Sequence, residues 1–186
     1  MNDNTVLLEA SSLTNIMSEF NYNDDYFNNI PLCKKIKISN SLQNLEPYIE
    51  NSTSKKIMKI INNMKRAGVT FCVNKSSYDI VNDAIANIGT DIEGERWEHF
   101  KKEYDLKIID DMVVPELNMN EHTKSFISTC IMTQCIYITC KKSCIEHVKN
   151  IGYTMSIGIQ FYGLGLLTRK RKKMFYEELN KIKETE

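Results

Sequence analysis

The sequence predicts an all-α chain, a single bundle of about seven or eight helices around one apolar central helix. Three observations point there. Turn formers are scarce, with 3 Pro and 7 Gly in 186 residues. Apolar residues recur at three- and four-residue spacing along much of the chain. The segment from Glu121 to Val148 carries Phe126, Ile127, Cys130, Ile131, Cys135, Ile136 and Ile138 with Ser, Thr and Gln between them, as a helix at a bundle's centre would.

In chain order, Leu7, Leu8, Leu13, Ile16, Met17 and Phe20 fit an amphipathic helix from Val6 to about Phe20. Asn and Asp residues then open a loose connection, about 21–52, with Pro31 inside it. Ile57, Ile60, Ile61 and Met64 form the stripe of a helix capped by Thr53 or Ser54 and ended by Gly68. The next helix starts near Ser76, carries Ile80, Val81, Ile85, Ile88 and Ile92, and reaches Gly94. Trp97, Phe100 and Tyr104 suggest a short aromatic-faced helix of their own. An apolar stretch, Ile151 to Leu167, precedes the basic run Arg169, Lys170, Arg171, Lys172 and Lys173, and a polar helix closes the chain at about 170–186. One domain, 1–186, accommodates all of this.

Lys plus Arg and Asp plus Glu number 24 each. That balance argues against binding nucleic acid through overall charge, so nucleic acid is an unlikely partner. No basic n-region opens the chain, so a reduced intracellular setting is expected and the 6 cysteines read as small apolar residues. Cys140, Cys144 and His147 share one helical face but lack a fourth ligand, so no metal site and no cofactor are expected. His99, His122 and His147 accompany no nucleophile elbow, and Gly163-Leu164-Gly165 lacks the rest of a dinucleotide fingerprint. The expectation is a non-enzyme with no catalytic residues.

The most informative segment is 81–92. Val81, Ile85, Ile88 and Ile92 follow one another by four, three and four residues, within roughly 60° of helical arc. Gly89 sits beside that stripe. A glycine inside a helix costs about 1 kcal/mol relative to Ala, and close approach of another backbone is one reason to keep it. This pattern resembles the third homology motif of the Bcl-two apoptosis-regulator family. The resemblance implies that Val81, Ile85, Ile88 and Ile92 enter four pockets of a relative's groove, with Gly89 allowing close approach. Thr90 occupies the family's aspartate position, with Asp91 beside it and about 100° further round. The family's Asn-Trp-Gly-Arg signature is absent; Gly94-Glu95-Arg96-Trp97 is not that pattern.

The function this resemblance implies is regulation of apoptosis by helix-in-groove contact with Bcl-two family proteins. A pro-apoptotic direction is favoured, with a cytoplasmic location and association with the outer mitochondrial membrane. One alternative is a Bcl-two-like inhibitor, host or viral, whose groove receives such helices. Another is a helical scaffold associated with nucleic acid. The run 169–173 would meet acidic lipid or another acidic partner.

Overall fold

The computed structural model describes residues 4–18 and 53–151, with Lys173 and Glu177 as isolated helical positions. Those residues form an α/β fold, which overturns the all-α expectation. Strands β1 (Thr5–Leu8), β2 (Thr70–Asn74), β3 (Lys107–Ile109) and β4 (Ile136–Ile138) make one four-stranded sheet in the order β3-β2-β1-β4. Every pairing is parallel. The described residues add six helices: α1 (Ala10–Met17), α2 (Thr53–Arg66), α3 (Lys75–Ile88), α4 (Asp91–Glu103), α5 (Glu121–Thr133) and α6 (Lys142–Asn150).

The strands escape sequence reading for a physical reason. A parallel strand covered on both faces is apolar throughout, so it lacks the alternation that marks a half-exposed strand. Val6, Leu7 and Leu8 are all completely buried. Three apolar residues followed by an amphipathic helix then merge into one apparent helix, and the expected helix from Val6 divides into β1 and α1. In the same way the expected central helix at 121–148 divides into α5, β4 and α6. Its break is Gln134, at φ 51°.

Alternation reappears across the sheet. Val6 and Leu8 face one layer with Phe71, Val73 and Ile138, against Leu13 and Ile16 of α1, Ile57 and Ile61 of α2, Val81 of α3, and Trp97 and Phe100 of α4. Leu7, Cys72 and Tyr137 face the other layer, against Phe126, Ile127 and Cys130 of α5 and Cys144, Ile145 and Val148 of α6. Each fully buried Leu, Ile or Phe contributes about 1.5–3 kcal/mol of transfer free energy, so the two layers hold the sheet from both sides.

Several expectations hold locally. In α2, Ile57 and Ile61 are buried while Lys59, Lys65 and Arg66 are exposed. Gly68, at φ 76°, ends the helix: Val69 N–H donates to Met64 O at 3.0 Å and Gly68 N–H to Lys65 O at 3.0 Å. Trp97, Phe100 and Tyr104 do line the buried side of one helix end, with Trp97 Nε1 donating to Asn82 Oδ1 at 2.8 Å and Tyr104 Oη to Asn62 Oδ1 at 2.6 Å.

The helix expected from Ser76 to Gly94 is instead two. α3 stops at Ile88, and Gly89 takes an extended conformation, φ −67° and ψ 164°. Thr90 then caps α4 in a reciprocal box: Glu93 N–H donates to Thr90 Oγ1 at 3.4 Å, and Thr90 N–H to Glu93 Oε2 at 2.9 Å. The loose connection, the stretch beyond Ile151, the basic residues 169–172 and most of the closing helix lie outside the described residues. Lys173 is exposed.

Two substitutions probe the chain reversals. A Cβ on Gly89 would lie 2.4 Å from Ile85 O, so Gly89→Ala is expected to cost about 1–3 kcal/mol, as overpacking does. Gln134→Gly removes the strain of a left-handed non-glycine residue and should gain up to about 1 kcal/mol. Midpoints of urea unfolding for both variants measure these shifts.

Candidate functional site at the carboxyl edge of the sheet

Because all four strands run the same way, their carboxyl ends share one edge. The helices that follow them start there and present their N-termini to it. The order β3-β2-β1-β4 reverses between β1 and β4, which is the topological switch point where open α/β sheets place ligands.

The register defines the side chains at this edge. Leu8 is level with Ile138, and Val73 with Ile108. One residue further along the strands come Glu9, Asn74, Ile109 and Thr139, a row on the face covered by α5 and α6. Ile109 packs into that layer, as alternation requires. Glu9, Asn74 and Thr139 are 8%, 0% and 0% exposed.

Around Glu9 the polar groups interlock. Its Oε2 accepts from Ser11 N–H at 2.8 Å, from Thr139 Oγ1 at 3.0 Å and from Ser11 Oγ. The first of these caps α1. Ser11 Oγ in turn accepts from Cys140 N–H at 3.0 Å, and Thr139 Oγ1 from Lys141 N–H at 3.0 Å. Glu9 N–H donates to Ile138 O at 2.9 Å, extending the β1–β4 ladder. Among the described residues all the side-chain hydrogen bonds of Glu9 fall on Oε2, and it makes no ion pair.

A second cluster stands at the end of β2. Asp111 Oδ1 accepts from Asn74 Nδ2 at 2.7 Å and from Ser125 Oγ at 2.7 Å, while Asp111 Oδ2 accepts from Ser76 Oγ. Ser76 N–H reaches both carboxylate oxygens at 3.1 Å, so Asp111 caps α3 from a distant point in the sequence. Burial pushes the Asp111 carboxyl up, but the hydrogen bonds from Ser76, Ser125 and Asn74 outweigh it and hold the group below its ordinary value. Ser125 also accepts from Asn74 Nδ2 at 3.0 Å. Asn74 Oδ1, by contrast, is buried and takes no hydrogen bond among the described residues.

The first turns of α5 link the clusters. Thr123 receives Lys141 Nζ at 3.0 Å, while Ser125 joins Asp111 and Asn74. Further along α5, Ser128 Oγ accepts from Val114 N–H at 2.9 Å and Thr129 Oγ1 from Met112 N–H at 3.2 Å. The hydroxyls scattered through this apolar helix thus hold the chain after β3.

None of the described residues of the 81–92 motif falls in this site. Val81 is fully buried in the core, Ile85 and Ile88 are half-buried, and Ile92 is 52% exposed on a different helix. Gly89 serves the end of α3, and Asp91 is the exposed first residue of α4. Ile92 lines a cavity of about 400 Å³ with Ile16, Met17, Met58 and Tyr104, in the layer opposite the polar row. His99 at its rim pairs with Glu103 at 2.9 Å. Among the described residues no helix is long and apolar enough to cross a membrane, and no three or more His, Cys, Asp or Glu side chains gather where they could hold a metal ion.

Sequence reading missed Glu9, Asn74, Asp111, Ser125 and Thr139. The legible hint was an apolar triplet with an acid and two serines just after it, Val6-Leu7-Leu8-Glu9-Ala10-Ser11-Ser12, the outline of a strand feeding a capped helix. No family model, curated protein or solved structure matches the chain.

A carboxyl held low in the folded chain stabilises it above the unfolded value, about 3.9, and that contribution is lost as pH falls through the lower folded value. Asp111→Asn is therefore expected to lower stability at pH 7 by about 1 kcal/mol, as loss of a helix cap does, and to flatten the acid limb below about pH 4. Unfolding midpoints of both proteins between pH 2 and pH 7 would show it.

Proposed function

We propose that this chain is a binding protein for a hard divalent cation, Mg2+ in the first instance, and that the cation holds an anionic small ligand at the carboxyl edge of the sheet. One observation carries the reading. Asn74 Oδ1 is buried and takes no hydrogen bond from the described residues, and the Glu9 carboxylate one strand over, in a side chain only 8% exposed, accepts through Oε2 alone among the described residues. A buried acceptor without a donor costs about 1–3 kcal/mol, and a buried carboxylate without a counter-charge costs more. A cation relieves both at once.

The donor set selects among cations. One carboxylate and one amide carbonyl, with water completing the shell, suit Mg2+, which keeps several waters and few protein ligands. Ca2+ asks for six to eight oxygens, and Zn2+ prefers nitrogen and sulfur. The start of α6 has no side-chain cap, and Lys141 stands beside it, so the anionic part of a ligand finds N–H groups and a positive charge there. Ser11 Oγ is engaged by Glu9 and Cys140 N–H, so the site is read as binding and no nucleophile is assigned.

The helix-in-groove role in apoptosis is a separate proposal with less behind it. It requires Val81 to leave the core and the break at Gly89 and Thr90 to rewind into helix. A labelled Ser76–Trp97 peptide tested on a pro-survival relative addresses it.

Thermal unfolding tests the cation. Mg2+ at about 100 times its dissociation constant should add about 2.7 kcal/mol, or about 5–10 °C in Tm. Glu9→Gln keeps the acceptor that caps α1 and should erase that rise. An unchanged wild-type Tm in Mg2+, Mn2+ and Ca2+, or an equal rise in the variant, rejects the reading.

A further inference from the structure

At the opposite end of β4 lies a second chemical feature, independent of the polar row. α5 ends at Thr133, and Gln134 adopts the left-handed conformation, φ 51°. A left-handed residue after a helix folds the chain back, so that the residue following it meets the one four positions before it. Here those two residues are Cys135 and Cys130, 5% and 0% exposed. Both belong to the apolar layer with Phe126 and Tyr137. The Cys130 thiol donates to the Cys135 sulfur, Thr133 Oγ1 donates to it at 3.0 Å, and the backbone N–H groups of Cys135 and Leu7 point at it as well.

Those donors set the two thiols apart. The hydrogen bond from Cys130, joined by that from Thr133, outweighs burial and brings Cys135 down to about 7. Burial drives Cys130 well up, and the proton it lends to Cys135 adds to that. Cys140 and Cys144, with no such donors prevailing over burial, are pushed up to about 12. Cys135 is thus the more acidic thiol of the pair, with the Cys130 thiol hydrogen-bonded against it.

We propose that Cys135 and Cys130 form an oxidisable pair, in which the Cys135 sulfur attacks hydrogen peroxide and Cys130 resolves the product to a disulfide. The Cys135 thiolate attacks one peroxide oxygen, the O–O bond breaks, and the departing hydroxide takes a proton to become water. Cys135 is then a sulfenic acid, oxidised by two electrons. Cys130 gives up its proton, its sulfur attacks the Cys135 sulfur, the S–O bond breaks and a second water leaves. Two thiols have lost two hydrogens, and one peroxide has become two waters. The bond ties the last turn of α5 to the start of β4.

The test uses the full chain with hydrogen peroxide, followed by proteolysis without reduction and mass spectrometry. A peptide pair joined through Cys130 and Cys135, lighter by two hydrogens than the free peptides, is expected. Cys130→Ser should leave Cys135 as a sulfenic acid trapped by a cyclic diketone. The wild-type chain supplies a check that needs no buried variant: iodoacetamide at pH 7 should label Cys135 at least about tenfold faster than Cys144. Oxidation of other cysteines with Cys130 and Cys135 left free, or equal labelling of Cys135 and Cys144, overturns the proposal.

Discussion

Strand β1 is paired along both edges and covered on both faces, and the rest of the described fold is arranged around that burial. Its N–H and C=O groups have nowhere to turn but to β2 and β4, because an unpaired backbone group in the interior costs as much as a lost hydrogen bond. Leu7 and Leu8 point to opposite sides, so each needs its own layer of helices. Two layers on a parallel sheet follow from this one strand. So does the gathering of helix N-termini at a single edge, since every connection back to a parallel strand must cross the whole sheet.

At that edge electrostatics and burial compete. The starts of α1 and α3 carry partial positive charge and orphan N–H groups, which Glu9 and Asp111 satisfy. The carboxylates therefore act first as anions belonging to the fold. What remains is unevenly shared: Asp111 uses both oxygens, whereas Glu9 uses one. Asn74 spends its two N–H donors on Asp111 and Ser125 and leaves its carbonyl buried and unmet. Interiors seldom tolerate such a remainder without a compensating group, and that imbalance separates this edge from an ordinary set of helix caps.

The segment 81–92 shows how a short periodic match is overridden. Four apolar residues at helical spacing say only that a helix would place them together. Thr90 and Glu93 say otherwise, because Thr-x-x-Glu is a start signal, and the reciprocal bonds of the capping box begin a new helix there. The glycine does answer to close approach of backbone, but the backbone is that of Ile85 in its own helix. The residue that breaks the family pattern, Thr90, is the residue that defines the local structure.

Much of the helical content was legible because it rests on interactions within a few residues. The stripe of α2, its end at Gly68 and the aromatic side of α4 follow from spacing and a single left-handed glycine. The strands were not legible, since runs of three to five residues, apolar in succession as in Val6-Leu7-Leu8, are too short to show a period of their own. The candidate site was less so: Glu9, Asn74 and Thr139 lie 65 and 130 positions from one another along the chain, and Asp111 caps a helix 35 residues before it. The sequence by itself determined where helices begin and end wherever the deciding bonds are local. Only the tertiary structure decided that Val6 to Leu8 is a strand and that its neighbouring acid joins a polar row, because parallel pairing draws its partners from distant parts of the chain.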